Sequence, residues 1–336
     1  MAFDAYGTTS NEGTKKESNV DFEALNKYVV DTCGLQQPKT LRGIISTLVD
    51  LGTQKLPDAT YKLEKEDVAL SIGELTEKYG IDIQEGTITK FDQAYDNDTK
   101  SWSIQKFVPQ KPRQAVVYAV DFPDIMLDKG KFFGEEEGKN LKPLRIWIGG
   151  QHWNPTQKKM LVNQVIPLKI TKYEKIGWTM RPNLSLYKIA LGAEIIKTDE
   201  SFMPERIDEL LGKTLLFTAQ VFFKKGTDGK QYYTEKLKYS SGLVMGMPSL
   251  SVDNTYLIQF NGDNDAQGLK EVRGHVLNTI KNATNYQGSK IQSQLEAGNT
   301  TQQNESPKQD VQEIPKVAKV APKPNVNQDL DDSLPF

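Results

Sequence analysis

The chain reads as a mainly β fold with helices added: a small barrel with large insertions, a C-terminal helix and a disordered acidic tail. Three observations lead there. Runs rich in β-branched and aromatic residues recur at Leu41–Gly52, Ala115–Phe122, Leu144–Ile148, Thr214–Lys225 and Gln231–Tyr239, with turn-forming residues between them. The last two runs are joined by GTDGK, whose Asp228-Gly229 supplies the residues a tight hairpin needs for positive φ. Gly43 sits inside the first run, where a missing side chain lets a strand curve as a barrel requires.

Taken in order, residues 1–20 lack periodic apolar positions and read as a mobile arm. Phe22, Leu25, Tyr28 and Val29 then recur at helical spacing behind Asp21, a suitable N-cap, which predicts a short helix. After the Leu41 strand, a polar stretch through Pro112 predicts strands at Thr87–Phe91 and Ser101–Val108 and a helix over Ile72–Tyr79. Ala115–Phe122 and Leu144–Ile148 follow as barrel strands, and further strands are expected at Leu161–Thr171, crossing Pro167, and at Leu184–Ala190.

Glu200–Lys213 predicts a helix with Ile207, Leu210 and Leu211 on one face, Pro204 near its start and Gly212 at its end. The 214–239 hairpin comes next, then a strand at Thr255–Phe260. Leu269, Val272, Val276, Ile280 and Ala283 keep a helical stripe through residues 263–297. Strand, strand, strand, helix, strand, strand is the order of the OB fold, a five-stranded Greek-key barrel. The expected organisation is therefore an arm (1–20), an OB-fold body with insertions (21–262), a C-terminal helix (263–297), a disordered linker (298–328) and an acidic tip (329–336). The linker is rich in Asn, Gln, Thr, Ser, Pro and Lys, and as a coil it reaches ~30 Å.

Composition narrows the function. The 336 residues, 37% of them hydrophobic, suffice for a substantial core. The longest apolar runs, such as Leu215–Phe223, are too short for a bilayer. Met1-Ala2-Phe3-Asp4 opens without a basic or apolar leader, and Cys33 is the one cysteine, so a reducing cytoplasm and a buried thiol are expected. Net charge is −2, and residues 298–336 carry four lysines against six acids, which leaves the body neutral. A nucleic-acid site must then come from local clustering.

Clustering is found in the hairpin, where Phe217, Phe222, Phe223, Tyr232, Tyr233 and Tyr239 are interleaved with Lys224, Lys225, Lys230, Lys236 and Lys238. Single strands are held by cations on the backbone and by rings under the bases, so this pattern points to DNA contact. Strand alternation places Phe217, Ala219, Val221 and Phe223 on one face and Phe222 and Lys224 on the other, one of which must be core. A second candidate is Arg145 and Trp147 through Trp153 to Lys158 and Lys159, around Gly149-Gly150, with Arg113, Lys111, Lys106 and Tyr118 extending the groove. The competing reading is that Trp147 and most of the hairpin rings fill the core.

Catalytic readings are weaker. His152, His275 and Cys33 are too few for a Cys/His zinc site, and neither a phosphate-binding P-loop nor a dinucleotide fingerprint occurs. Acids at Asp92/Asp96/Asp98, Glu135–Glu137 and Asp263/Asp265 lie in polar stretches that read as solvated faces rather than a two-metal centre. No cofactor or metal is expected, and a metal-dependent nuclease is the minor alternative.

The C-terminus carries the most specific motif. Asp329-Leu330-Asp331-Asp332-Ser333-Leu334-Pro335-Phe336 sets carboxylates beside a terminal aromatic, which gives a partner a ring, an α-carboxylate and an acidic rim at once. This ending resembles the acidic tip of bacterial and bacteriophage single-stranded DNA-binding proteins, matching it at Asp331, Asp332, Pro335 and Phe336, while Ser333 stands where that family often has an acid. Several phage members are also similar in having a helix ending in LLGK, as at Leu210–Lys213, followed by a strand and a GK-tipped hairpin. The resemblance implies an OB-fold protein that coats single-stranded DNA in the cytoplasm of an infected bacterium. It also implies that Asp329, Asp331, Asp332, Leu334, Pro335 and Phe336 recruit replication or recombination proteins of polymerase, helicase, exonuclease or recombinase type. A β-rich adaptor that docks through the tip without touching DNA is the main alternative.

Overall fold

The computed structural model describes residues 20–56, 58–79, 90–96, 100–148, 151–154, 159–162, 165–226, 229 and 231–303, with the side chains of 151–154, 159–162 and 298–303 excepted. The elements are α1 (Phe22–Cys33), β1 (Lys39–Gln54), β2 (Ala59–Lys62), α2 (Ile72–Tyr79), β3 (Lys90–Asp96), β4 (Ser101–Val108), β5 (Arg113–Asp128) and β6 (Leu141–Ile148). There follow β7 (Gln151–Asn154), β8 (Lys159–Val162), β9 (Ile166–Pro167), β10 (Ile170–Tyr173), β11 (Gly177–Met180) and α3 (Ser185–Gly192). The described part ends with β12 (Thr214–Lys225), β13 (Gln231–Ser241), β14 (Tyr256–Ile258), α4 (Ala266–Glu271), α5 (Gly274–Lys281) and α6 (Lys290–Gln303).

The fold is mainly β and largely antiparallel. Its main sheet runs β13-β12-β1-β5-β6, with β14 parallel to β1 and β9 on β5. β1 organises it by changing partner midway: Lys39–Ile44 pair with β12, and Ile44–Gln54 pair with β5. The bend is at Gly43, where a Cβ would lie 2.5 Å from Val120 Cγ1 and 3.1 Å from Phe217 Cδ2, so only glycine lets these strands close on one another. The outermost strands β13 and β6 pack together without a shared ladder, so backbone pairing does not close the sheet.

Arg273 fills that seam. Its guanidinium donates to both Glu235 carboxylate oxygens on β13, at 2.9 and 3.1 Å, and to the Arg145 carbonyl on β6, at 2.9 Å. Two apolar cores lie on opposite faces of the sheet. In β5, Val116, Tyr118, Val120 and Phe122 join α1, α3 and Phe217, Ala219 and Val221 of β12 in one core. Ala115, Val117 and Ala119 face the other way, under Ile258, Val272, Val276 and Ile280 of the C-terminal segment. A strand buried on both faces reads as a continuous apolar run, which is what residues 115–120 are.

Several expectations hold closely. Asp21 caps α1 by accepting from the Ala24 N–H at 2.9 Å, α2 and β4 have the expected bounds, and Cys33 is buried. Others are corrected. Leu184–Ala190 is the helix α3 rather than a strand, because Leu186, Tyr187, Ile189 and Ala190 are buried at helical spacing. Glu200–Lys213 contains only a 3-10 helix at Pro204–Leu210; its buried Ile207 and Leu210 lie three apart, the repeat of that tighter helix.

The expected strand Leu161–Thr171 is broken into short pieces around Pro167, which cannot donate to a ladder. Residues 263–297 form three helices rather than one, interrupted where Val272 and Arg273 are extended, and α6 continues to Gln303, past the expected start of the linker. Of the strand expected at Thr87–Phe91, residues 87–89 lie outside the described residues and the rest falls in β3, Lys90–Asp96, while the strand expected at Thr255–Phe260 occurs as Tyr256–Ile258.

Candidate nucleic-acid interface

In the β12–β13 hairpin the first arm has its predicted bounds and the second runs two residues past Tyr239, to Ser241; the register sorts the candidate residues into two faces. On the inner face Phe217 pairs with Tyr239, Ala219 with Leu237, Val221 with Glu235 and Phe223 with Tyr233. On the outer face Lys224 pairs with Tyr232, Phe222 with Thr234, Gln220 with Lys236 and Thr218 with Lys238. Phe217, Ala219 and Val221 are wholly buried. The outer face therefore presents Phe222 and Tyr232 among Lys224, Lys236 and Lys238, and the Lys236 amine lies over the Phe222 ring at 4.8 Å.

The adjacent tyrosines have opposite fates. Tyr233 is 7% exposed and its ring lies 5.6 Å from the Lys129 amine, which burial pushes down to about 8. Burial, followed by the nearby Glu235 charge, holds the Tyr233 phenol well above its ordinary range. Tyr232 is half-buried on the outer face beside Lys224. Tyr239 belongs to packing: its ring meets Phe217 edge-on at 6.1 Å, and its hydroxyl abuts Gly192 of α3. Lys225 is exposed at the end of β12, and Gly229 takes the positive φ expected of the turn.

The second candidate segment does not offer the same surface. Arg145 is 19% exposed and gives Asp121 a bidentate pair at 2.7 and 2.9 Å, with Glu271 at 3.2 Å, so its guanidinium is engaged inside the protein. Trp147 is 6% exposed in the core beneath the C-terminal helices, where it cannot stack on a base. Tyr118, named as an extension of the groove, is 1% exposed. Arg113 is exposed at the start of β5, opposite Gln54. Lys106 lies over Tyr79 at 5.0 Å, within the small β2-β4-β3 sheet. The side chains of Trp153 and Lys159, and Lys158, Lys230 and the tip residues Asp329, Asp331, Asp332, Leu334, Pro335 and Phe336 as a whole, lie outside the described residues.

Two exposed indoles escaped the sequence reading, Trp102 of β4 at 65% and Trp178 of β11 at 60%. For Trp102 the available signal was its setting between two serines, whereas Trp178 had none, because alternation groups it with the buried Met180 on a four-residue strand. Among the described residues no three of His, Cys, Asp and Glu gather as a metal site, and no helix is long and apolar enough to cross a membrane. Of the acids weighed for metal chemistry, Asp96 pairs with Lys62 at 2.9 Å and Asp263 with Lys290 at 2.6 Å. Comparison with protein-family models, curated proteins and solved structures gave no match.

Proposed function

We propose that the chain is a phage-type single-stranded DNA-binding protein with an OB-type body, which coats DNA without strong sequence preference. The observation that carries this reading is the outer face of β12–β13, where Phe222 and Tyr232 alternate with Lys224, Lys236 and Lys238 on the solvent side of a hairpin whose other side is core. Rings for bases and amines for phosphates on one sheet surface are what sequence-tolerant strand binding needs. The sheet order supports the OB-type reading. β1 lies between β12 and β5, β6 follows β5, and α3 falls between β6 and β12 in the chain.

In this reading Asp329–Phe336 recruits replication or recombination proteins and competes with DNA for the basic face. Fluorescence polarisation with single- and double-stranded oligonucleotides across a salt series tests it. Tighter binding to single strands, weakening as salt rises, is expected; equal affinities or a flat salt response defeat it. Removing Asp329–Phe336 should tighten DNA binding at low salt and abolish partner capture.

The adaptor reading draws support from one observation. After β13 the chain exposes Val244, Met245 and Met247 at 56%, 99% and 43%, an apolar loop suited to a protein contact. The same titration separates the two readings, because an adaptor leaves the oligonucleotide unbound.

A further inference from the structure

A row of like charges leads from β5 of the main sheet to the end of β11 in the β10–β11 pair, at the far end of β1 from the hairpin. β9 pairs with β5 at Ala115↔Pro167 and Val116↔Ile166, and the ladder continues through the Leu168 N–H to the Gln114 carbonyl at 2.9 Å, which sets Lys169 opposite Arg113. On its other side Lys169 faces Arg181, whose N–H donates to the Lys169 carbonyl at 3.3 Å in line with the Ile170↔Met180 pair. Arg113, Lys169 and Arg181 are therefore consecutive cross-strand neighbours on one face. Directly opposed like charges destabilise a sheet.

Among the described residues no acid offsets them. The Lys169 amine donates to Gln110 Oε1 at 3.3 Å and Arg181 Nε to Thr171 Oγ1 at 3.0 Å, and among the described residues none of the three cations pairs with a carboxylate. Burial, then the proximity of Arg113 and of Arg181, holds the Lys169 amine below its ordinary range. Protection of a sheet edge does not explain the arrangement, since Arg113 lies between Gln54 and Lys169, and Lys169 between two arginines. Two guanidinium forks flanking an amine suit a run of phosphates, which Arg binds in bidentate fashion.

We infer that Arg113, Lys169 and Arg181 form a phosphate-binding row that anchors the backbone of single-stranded DNA at a second point, away from the hairpin. This rests on the proposed function and extends it with two residues, Lys169 and Arg181, on which that reading does not depend. The row would hold phosphates in sequence-independent fashion and leave base stacking to the hairpin rings.

The test compares wild type with R113Q/K169Q/R181Q and with the charge-preserving R113K/K169R/R181K. Two readouts are used: binding of a labelled oligothymidylate across a salt series, and thermal unfolding with and without tripolyphosphate. Loss of the row should lower affinity at low salt about tenfold or more and flatten the logarithmic salt slope by roughly two units, whereas the charge-preserving variant keeps both. Without anion the glutamine variant should melt no lower than wild type, because repulsion has been removed, and tripolyphosphate should raise the melting temperature of wild type more. A wild type that binds single strands with a steep salt slope, matched by the glutamine variant in slope, affinity and tripolyphosphate response, overturns the row and leaves the proposed function standing. If wild type shows no salt-dependent strand binding, the proposed function fails. The tripolyphosphate comparison then decides the row alone: a wild-type-specific shift keeps it as an anion site, and equal shifts remove it.

Discussion

Tyr232 and Tyr233 are chain neighbours on opposite faces of one strand, so replacing each by alanine should give opposite phenotypes. Tyr233 is 7% exposed in the same core as Phe217, Ala219 and Val221. Truncating a buried aromatic of this size costs about 3–5 kcal/mol. For a body of this size that lowers the melting temperature by roughly 6–20 °C. Below the new transition the outer face remains, and DNA affinity should stay near that of wild type. Tyr232 shares the outer face with Lys224 and Phe222. Its loss should leave the melting temperature within a few degrees of wild type and remove ~1–3 kcal/mol of base stacking. That is a rise in Kd of about 5- to 150-fold. Thermal denaturation followed by circular dichroism and oligonucleotide polarisation, run on both variants, give the comparison. If Tyr233→Ala weakens DNA binding while melting like wild type, or Tyr232→Ala lowers stability and spares binding, the assignment of faces is wrong.

Four further outcomes follow from the packing. Arg273→Met should destabilise by about 3 kcal/mol, since Glu235 at 7% exposure loses its partner, and Glu235→Gln in the same chain should recover part of this in urea denaturation. Gly43→Ala should cost roughly 1–3 kcal/mol in the same assay, because its methyl would meet Val120 at 2.5 Å inside two packed strands. His275 is pushed from 6.5 down to about 4 by burial, with Arg273 adding to the effect. The unfolded chain therefore binds a proton that the native state excludes: stability is full above pH 6.5, falls as pH drops toward 4, and loses that component of slope in His275→Gln. Burial pushes the Cys33 thiol up to about 12, so Ellman's reagent at pH 8 should react only after denaturant is added.

The hairpin was legible because three local signals agreed: alternation along both arms, a Gly in the turn, and lysines concentrated toward the tip. Its residue-by-residue orientation was not, since alternation says that Tyr232 and Tyr233 differ without saying which one is core. That choice is made by α1, α3 and β5, which cover only one face. Leu184–Ala190 was misread because an apolar run of this length suits a buried strand or a buried helix equally well, and burial of Leu186, Tyr187, Ile189 and Ala190 decides for helix. Arg145 and Trp147 resembled a binding segment because Arg and Trp suit nucleic acid. Their engagement depends on Asp121, Glu271 and the C-terminal helices, partners far away in the chain that no local pattern reveals. The row through Arg113 was hidden for the same reason, since Lys169 and Arg181 join it only through pairing of separate strands.

Net charge was the main sequence-level objection to a nucleic-acid site, and the distribution of ion pairs answers it. Asp121 and Glu271 are engaged by Arg145, Glu235 by Arg273 and Asp67 by Lys78, so these acids contribute little negative potential outside their own pairs. Lys224 and Lys238 on the hairpin, and Arg113, Lys169 and Arg181 on the row, have no acidic partner among the described residues. A chain of net charge −2 can therefore present unneutralised cations at two separate places. The electrostatic pull on a phosphate backbone depends on these local groups within a Debye length of about 10 Å, and acids elsewhere on the molecule are screened. The same distribution makes the two places separable: each should carry its own share of the salt slope, and removing both should weaken strand binding more than removing either alone.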